Sequence, residues 1–539
     1  MRHHSVRPCR AAGDRKRGNI EGEVAIQPTV DLVNGRVEGR ALGRTMVFRG
    51  IRYGGDTGGK GRFQRASPPP APPAVADQIG PRAPQVIPAG KVPGFYSFLN
   101  DPSPMSEDCL HLNVFAPLDN PTKKPVMVWL HGGAWISGSG NRPCVHGSAL
   151  AERGDVVVVT LNHRLNAFGF TWDGTDATDP NVGMTDIVKA LEWVRDHIAA
   201  FGGDPDCVTI FGQSGGGAKV SVLMAMPSAK GLFHRAIVQS ASLHIDMAPP
   251  ERAVRCTELL YDELGLSVGS RIGLADIPMD AILKARLRAV ERNNGIDDFR
   301  PVLDGSILPA DPFSAQGLTL HEDVPLMIGW TKNEMSFFFG VEGQGVYDMN
   351  EARARTIVAG FFDMTEAQTA PLYNGFRDLL GDPCPAQVAE AILSDTRYGR
   401  NCRISTNLRA AHKGAPVYHY RVDWQAAPWG GVMGAPHTVC IPLVFGTTET
   451  ARGLLGRDEQ ADALSARMLE AWSNFARTGD PNCAALPAWP AYDTNRRATM
   501  LLDETCQVLD DPARDIQALV EPWPKFQVGM LLKGVNRTA

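Results

Sequence analysis

The chain has no run of apolar residues close to the ~20 that a membrane-spanning helix needs. Its most apolar candidate, Val156–Leu161, reads as a short buried parallel strand. An excess of one charge is missing too. Fifty-four Lys and Arg face 59 Asp and Glu, a net charge of −5. That balance argues against nucleic acid as the main partner. The basic stretch 1–19 lacks the apolar centre of a secretory signal, so export by that route is not expected. Ten cysteines are scattered from Cys9 to Cys506 with no C-x-x-C pair and no metal-ligand spacing. No metal and no cofactor is expected from them. A chain of this length can build a core without disulfide staples, and the simplest expectation is a reduced, cytoplasmic setting. Internal repeats are also lacking. Gly54–Gly61 nearly spells a P-loop, but Gly61 stands where the magnesium-holding Ser or Thr belongs, and it is read as an ordinary glycine loop. Asn536-Arg537-Thr538 is read as a chance match to a glycosylation acceptor.

What is present is an alternation of strands and helices between about 124 and 240. Pro125–Leu130, Val156–Leu161 and Ala236–Ala241 read as strands. Thr185–Phe201 reads as an amphipathic helix, with Ile187, Ala190, Leu191, Val194 and Ile198 at helical spacing. The pattern predicts an α/β fold with a mostly parallel sheet covered on both faces. Antiparallel strands are expected over 24–53, later strands at 324–330 and 417–424, and a late helix over 466–479. Residues 245–415 read as helix-rich, with no linker composition. The expected organisation is one catalytic unit, 24–530, between a basic tail, 1–23, and a C-terminal tail, 531–539.

Within this pattern Gly212-Gln213-Ser214-Gly215-Gly216 follows the β-branched run Val208–Phe211 and precedes helix-compatible residues. Strand, glycine turn and helix make G-x-S-x-G a nucleophile elbow, with Ser214 Oγ presented to a carbonyl. A serine hydroxyl needs a base, a carboxylate to orient that base, and amides to receive the oxyanion. His131-Gly132-Gly133-Ala134-Trp135 follows strand 125–130 directly and offers such amides. Downstream, Glu334 stands just past strand 324–330, on the carboxyl side where such sheets carry their sites. Among the later histidines, His437 lies in a Gly/Pro-rich loop, 431–442, and is expected there as a mobile, exposed base; His419 sits in a strand pattern and reads as packed.

Together these segments resemble the type-B carboxylesterases, the family of cholinesterases and bacterial para-nitrobenzyl esterases. Residues 107–117 and 201–220 resemble its two signatures, and 161–170, 231–242, 333–338, 437–446 and 472–482 follow in the family's order. The resemblance implies an α/β-hydrolase fold with helical insertions, and an enzyme that hydrolyses carboxylic esters of small molecules. It assigns Ser214 as nucleophile, Glu334 as acid, His437 as base, and Gly133, Ala134 and Gly215 as oxyanion amides. Gly132, Gln213, Ser240 and Trp135 are expected near the site, with Ser240 equally readable as a strand-end hydroxyl. The departures are specific. The family's glutamate before the nucleophile is Gln213, which weakens any pull on cationic substrates. Its alanine after the nucleophile is Gly215, which suggests a looser elbow, and its third loop glycine is Ala134. Arg52 replaces a proline, either at the entrance or as a solvated charge. Each of the three disulfides of secreted relatives lacks a partner here: the mates of Cys109 and Cys256 would fall at Ala83 and near Leu266, and Cys402 has none near 521–527. Phe95, Tyr96, Phe98, Trp135, Phe337, Phe338 and Trp429 are candidates for an apolar pocket. Carbamate or amide hydrolysis, or acyl transfer, would use the same residues. A silent adhesion or scaffold role is the reading from another class, and the retained Ser214, Glu334 and His437 speak against it.

Overall fold

The computed structural model describes residues 27–526 apart from 87–91, 119–122, 176–178, 243–246, 268, 270 and 382. The tails 1–23 and 531–539, Cys9, His244 and Asn536–Thr538 lie outside the described residues. Four short strands open the chain: β1 (Thr29–Leu32), β2 (Gly35–Glu38), β3 (Arg40–Leu42) and β4 (Thr45–Arg52). Next come β5 (His111–Pro117), β6 (Lys124–Leu130), β7 (Val157–Leu161), β8 (Gly203–Gln213) and β9 (Arg235–Gln239). The last are β10 (Leu326–Thr331), β11 (Val417–Val422), β12 (Ala498–Leu502) and β13 (Gln507–Asp510).

β1 and β2 form a hairpin, and the rest make an 11-stranded sheet in the order β13-β12-β11-β10-β9-β8-β6-β7-β5-β4-β3. The strands from β12 to β7 run parallel. Antiparallel pairs close both edges. The sequence predicts this parallel centre because its strands are apolar on both faces. β6 and β7 are buried at every residue, with Val126 opposite Val157 and Val128 opposite Val159. The fold is that of an α/β-hydrolase. All six strands expected from 125 onward form, five of them within a few residues of their predicted ends and β8 with an earlier start at Gly203. β5, β12 and β13 are strands that the sequence reading leaves unassigned.

The helices cover the two faces. Val182–His197 buries Ile187, Ala190, Leu191 and Val194, as its spacing predicts. The late helix begins earlier than expected, at Asp458, and ends at Thr478 before Gly479 at φ 83°. Asp458 and Glu459 in its first turn suit the positive end of the helix. The segment Gly54–Gly61 folds back on its neighbours: a methyl group on Gly55 would lie 2.1 Å from Ser67 Oγ, and Gly59–Gly61 makes a single 3-10 turn. The nine described cysteines are all free. Among the described residues, no helix is long and apolar enough to cross a membrane.

One buried ion pair fixes how β7 leads into the helix beneath the site. Arg164 donates from Nε and Nη2 to the two carboxylate oxygens of Asp186, at 2.8 and 2.6 Å, and its own N–H reaches the same carboxylate at 3.1 Å. Both side chains are essentially unexposed. Removing one partner leaves a charge stranded, whereas replacing both removes the problem. Asp186→Ala is therefore expected to cost about 3–5 kcal/mol in denaturant unfolding, and the double variant Arg164→Met/Asp186→Leu to recover most of that loss.

Candidate active site

The elbow forms where β8 stops and the helix Gly215–Met224 starts. Ser214, between them, sits at φ 60°, ψ −125°, a conformation that L-residues adopt only under constraint. It is held there from outside: its N–H donates to Gln239 O at 2.8 Å, at the end of the neighbouring β9. Glycine is required beside it. A methyl group on Gly216 would lie 1.9 Å from Leu130 O, and one on Gly212 would lie 2.5 Å from the Gly216 carbonyl carbon. The serine side chain is half-buried.

The loop after β6 runs directly against this turn. A methyl group on Gly132 would meet Gln213 O at 2.9 Å and Ser214 Cβ at 3.3 Å. Gly133 and Ala134 both have positive φ, 98° and 51°. Gly133 closes the turn by accepting from the amides of Ile136 and Ser137 at 3.2 and 3.0 Å. Among the described residues, the amides of Gly133, Ala134 and Gly215 donate to no protein acceptor. Unpartnered amides at a packed turn call for an acceptor from elsewhere. Gly215 corrects the expectation of a looser elbow. A methyl group there would lie 2.4 Å from Ala134 N, Cα and O, so the turn is tighter than an alanine allows.

Glu334 follows β10 and is fully buried. Its Oε1 accepts from the Thr331 amide at 2.7 Å, and its Oε2 pairs with His437 Nδ1. A carboxylate at Nδ1 favours the tautomer that carries its proton there and a lone pair on Nε2. His437 is only 3% exposed, which corrects the expectation of an exposed base. The reason is aromatic packing: the rings of Phe337, Phe338 and Tyr398 lie 6.0, 5.8 and 4.9 Å from the imidazole. Gln213 Nε2 lies 3.1 Å from His437 Nε2, and Ser214 Oγ is not among the hydrogen-bond partners of the imidazole. The same amide nitrogen lies 3.3 Å from His437 Nδ1, so Gln213 faces the imidazole about equally near both ring nitrogens.

The other expected residues divide. Ser240 stands just beyond β9 at φ 52°, with its N–H on Gly329 O at 2.7 Å and its hydroxyl buried without a partner. Trp135 is buried behind the loop against Phe170, at 5.8 Å between rings. Arg52 is paired with Asp108 and half-buried. His419 is packed in β11, as expected. Phe95 touches both Trp429 and Tyr96, at 5.2 and 4.6 Å, and Tyr96 touches Phe337 at 4.7 Å. With Phe338 this makes an aromatic row leading to His437. Phe98 is buried beside Tyr96.

Four residues near the site have no place in the sequence reading. Asn333 bridges the loops that carry Glu334 and His437: its N–H donates to Ala435 O at 3.0 Å, and its Oδ1 accepts from Ala435 N at 3.1 Å. Glu390 accepts from Asn333 Nδ2 at 2.9 Å, and burial pushes its carboxyl up to about 7. Tyr398 lies within a single π-helical turn, Asp395–Gly399. Lys219, a lone charge in an apolar helix pattern, was the visible signal among them; it reaches the carbonyls of the 131–135 loop.

Residues 26–517 match the carboxylesterase family. The chain is 34% identical over 500 residues to the para-nitrobenzyl esterase of Bacillus subtilis, covering 89% of this chain and 95% of that protein. It is 31% identical over 479 residues to the phenmedipham hydrolase of Pseudarthrobacter oxydans, covering 87% and 94%. Among solved structures, a thermophilic para-nitrobenzyl esterase superimposes with a TM-score of 0.76 at 32% identity, over 92% of this chain and all of that one. A carboxylesterase of Geobacillus stearothermophilus gives 0.76 at 33%, with the same coverage. The chain belongs to the carboxylesterase family and is a carboxylesterase.

Proposed function

We propose that ester hydrolysis runs through an acyl-enzyme on Ser214, with His437 as base, Glu334 as its orienting carboxylate, and Gly133, Ala134 and Gly215 as oxyanion donors. The observation that carries this reading is the constrained Ser214 backbone set against three unpartnered amides. For attack, the imidazole turns from the Gln213 amide to the Ser214 hydroxyl, and Nε2 takes its proton as Oγ bonds to the ester carbon. The carbonyl π pair becomes an oxyanion on the three amides. The C–O bond to the alcohol then breaks, and the imidazolium returns the proton to the leaving oxygen. Water repeats the sequence on the acyl-enzyme and releases the acid. Glu334 keeps the imidazole in one tautomer throughout and balances its transient charge.

The aromatic row and the neutral Gln213 support small to medium, largely uncharged esters as substrates. Carbamate or amide hydrolysis, or acyl transfer, is the second reading, favoured by the likeness to a phenmedipham hydrolase. A panel of para-nitrophenyl and para-nitrobenzyl esters of graded acyl length, an anilide and phenmedipham ranks these. The free cysteines support a reducing, cytoplasmic setting as part of the same proposal.

A fluorophosphonate should label the wild-type protein at Ser214. Ser214→Ala should remain folded, escape labelling and lose about 10⁴-fold or more in kcat; labelling elsewhere, or a Ser214→Ala variant with full turnover, would sink the assignment. Gln213→Glu places an anion beside His437 Nε2 and stabilises the imidazolium. The acid limb of kcat/KM should move up by about one pH unit, and a profile identical to wild type would show that residue 213 does not reach the working base. Gly215→Ala forces the elbow off the Ala134 backbone and should lower kcat by about 10²-fold. Ala134→Gly in the same chain frees the loop to shift and should restore much of that loss, measurable as a coupling between the two sites.

A further inference from the structure

Lys219 stands on the helix that begins with the elbow, five residues after Ser214. The helix is buried throughout, and Lys219 is its one charged residue. Its side chain is fully buried, and among the described residues its Nζ meets no carboxylate. Instead Nζ donates to His131 O at 2.9 Å and to Ala134 O at 3.0 Å. The Trp135 ring lies 5.7 Å from it. All three partners come from the one loop whose amides face Ser214.

The two carbonyls are informative because they bracket Gly133 and Ala134, the residues at positive φ. Alanine in the left-handed region relaxes towards ordinary backbone unless its surroundings hold it. Relaxation would rotate the Ala134 and Gly133 amides away from the elbow. The hydrogen bonds that oppose it include His131 Nδ1 on Gly132 O, the Ile136 and Ser137 amides and Ser137 Oγ on Gly133 O, Asn166 on Trp135 O and Ile136 O, and the two bonds from Lys219. Among the described residues, the hydrogen bonds from the helix that follows Ser214 to this loop come from Lys219. A buried lysine without a counter-ion is costly to keep. Burial holds its ammonium well below the ordinary lysine range, and Arg142 adds to the effect. An amine donates two N–H bonds in either protonation state, so the tie does not depend on charge.

We propose that Lys219 is a positioning residue for ester hydrolysis, which clamps the 131–134 loop to the elbow helix so that the Gly133 and Ala134 amides stay aimed at the oxyanion. It touches neither substrate nor reacting atoms. The inference rests on the reading of Ser214 and these amides given above.

The test compares Lys219→Met, which fills the same space without donors, with Lys219→Gln, which keeps N–H donors on a shorter arm. Active sites are counted by fluorophosphonate titration, so loss of folded protein does not enter kcat. Each variant is assayed for kcat and KM on a para-nitrophenyl ester, and for inhibition by a trifluoromethyl ketone, which Ser214 converts into a tetrahedral oxyanion. Lys219→Met should lose about 10²-fold in kcat per titrated site with KM little changed. Its inhibition constant for the ketone should rise in step with the fall in kcat/KM, and Lys219→Gln should lie between it and wild type. Wild-type kcat and ketone affinity per titrated site in Lys219→Met would overturn the clamp while leaving the nucleophile assignment intact. So would a kcat loss with unchanged ketone affinity. If Lys219→Met does not fold, the proposal stands or falls on Lys219→Gln: parallel losses in kcat and ketone affinity support it, and wild-type values overturn it. A wild-type protein that fails to label at Ser214 would instead overturn the catalytic reading itself.

Discussion

Backbone touches backbone where β6 and β8 end, and the rest of the site is arranged around that contact. Gly132, Gly215 and Gly216 each lie so close to the opposing turn that a single methyl group would force the two apart. The closeness is inherited from the sheet, since β6 and β8 are paired neighbours and Leu130 stands opposite Gly212. Two turns leaving adjacent strands in the same direction can bring free amides beside a serine only if neither carries side chains between them. The core beneath supplies the rigidity: Trp129 on β6 packs edge-on against Phe211 on β8 at 5.0 Å.

The reciprocal departures from the family pattern make sense at this contact. The family places a glycine at the position of Ala134 and an alanine at the position of Gly215. Here the methyl group stands on the loop side, and glycine stands on the elbow side, where the Ala134 backbone comes closest. Each departure alone resembles a weakening of the site. At 2.4 Å between the position of a Gly215 methyl and the Ala134 backbone, the glycine is what this close approach requires.

The elbow, the amide loop and the parallel centre were legible because each is written in a short local signal: an apolar strand followed at once by glycines. Glu334 was legible from its place just past β10. The burial of His437 was not, because the rings that cover it come from Phe337, Phe338 and Tyr398, far away in the chain. A Gly/Pro loop looks exposed when its neighbours are unknown. Asn333 and Glu390 were invisible for the same reason, since their value lies in what they reach. β5 was missed because His111 and Asn113 interrupt its apolar run. The structure satisfies Asn113 inside the sheet, with Nδ2 on Thr160 Oγ1 at 3.0 Å.

The pairing of Glu334 with His437 joins residues 103 apart in the chain, and the contact of Gln213 with His437 joins residues 224 apart. Neither can form until β10, β11 and the loop beyond them have docked on the strands that carry the elbow. Closing such distances is slow and comes late, because chain entropy is lost before the contacts repay it. A refolding chain would therefore regain its helices and much of its sheet before it regained turnover. With the roles proposed for Ser214, Glu334 and His437, catalytic activity reports on long-range assembly more stringently than any spectroscopic measure of secondary structure.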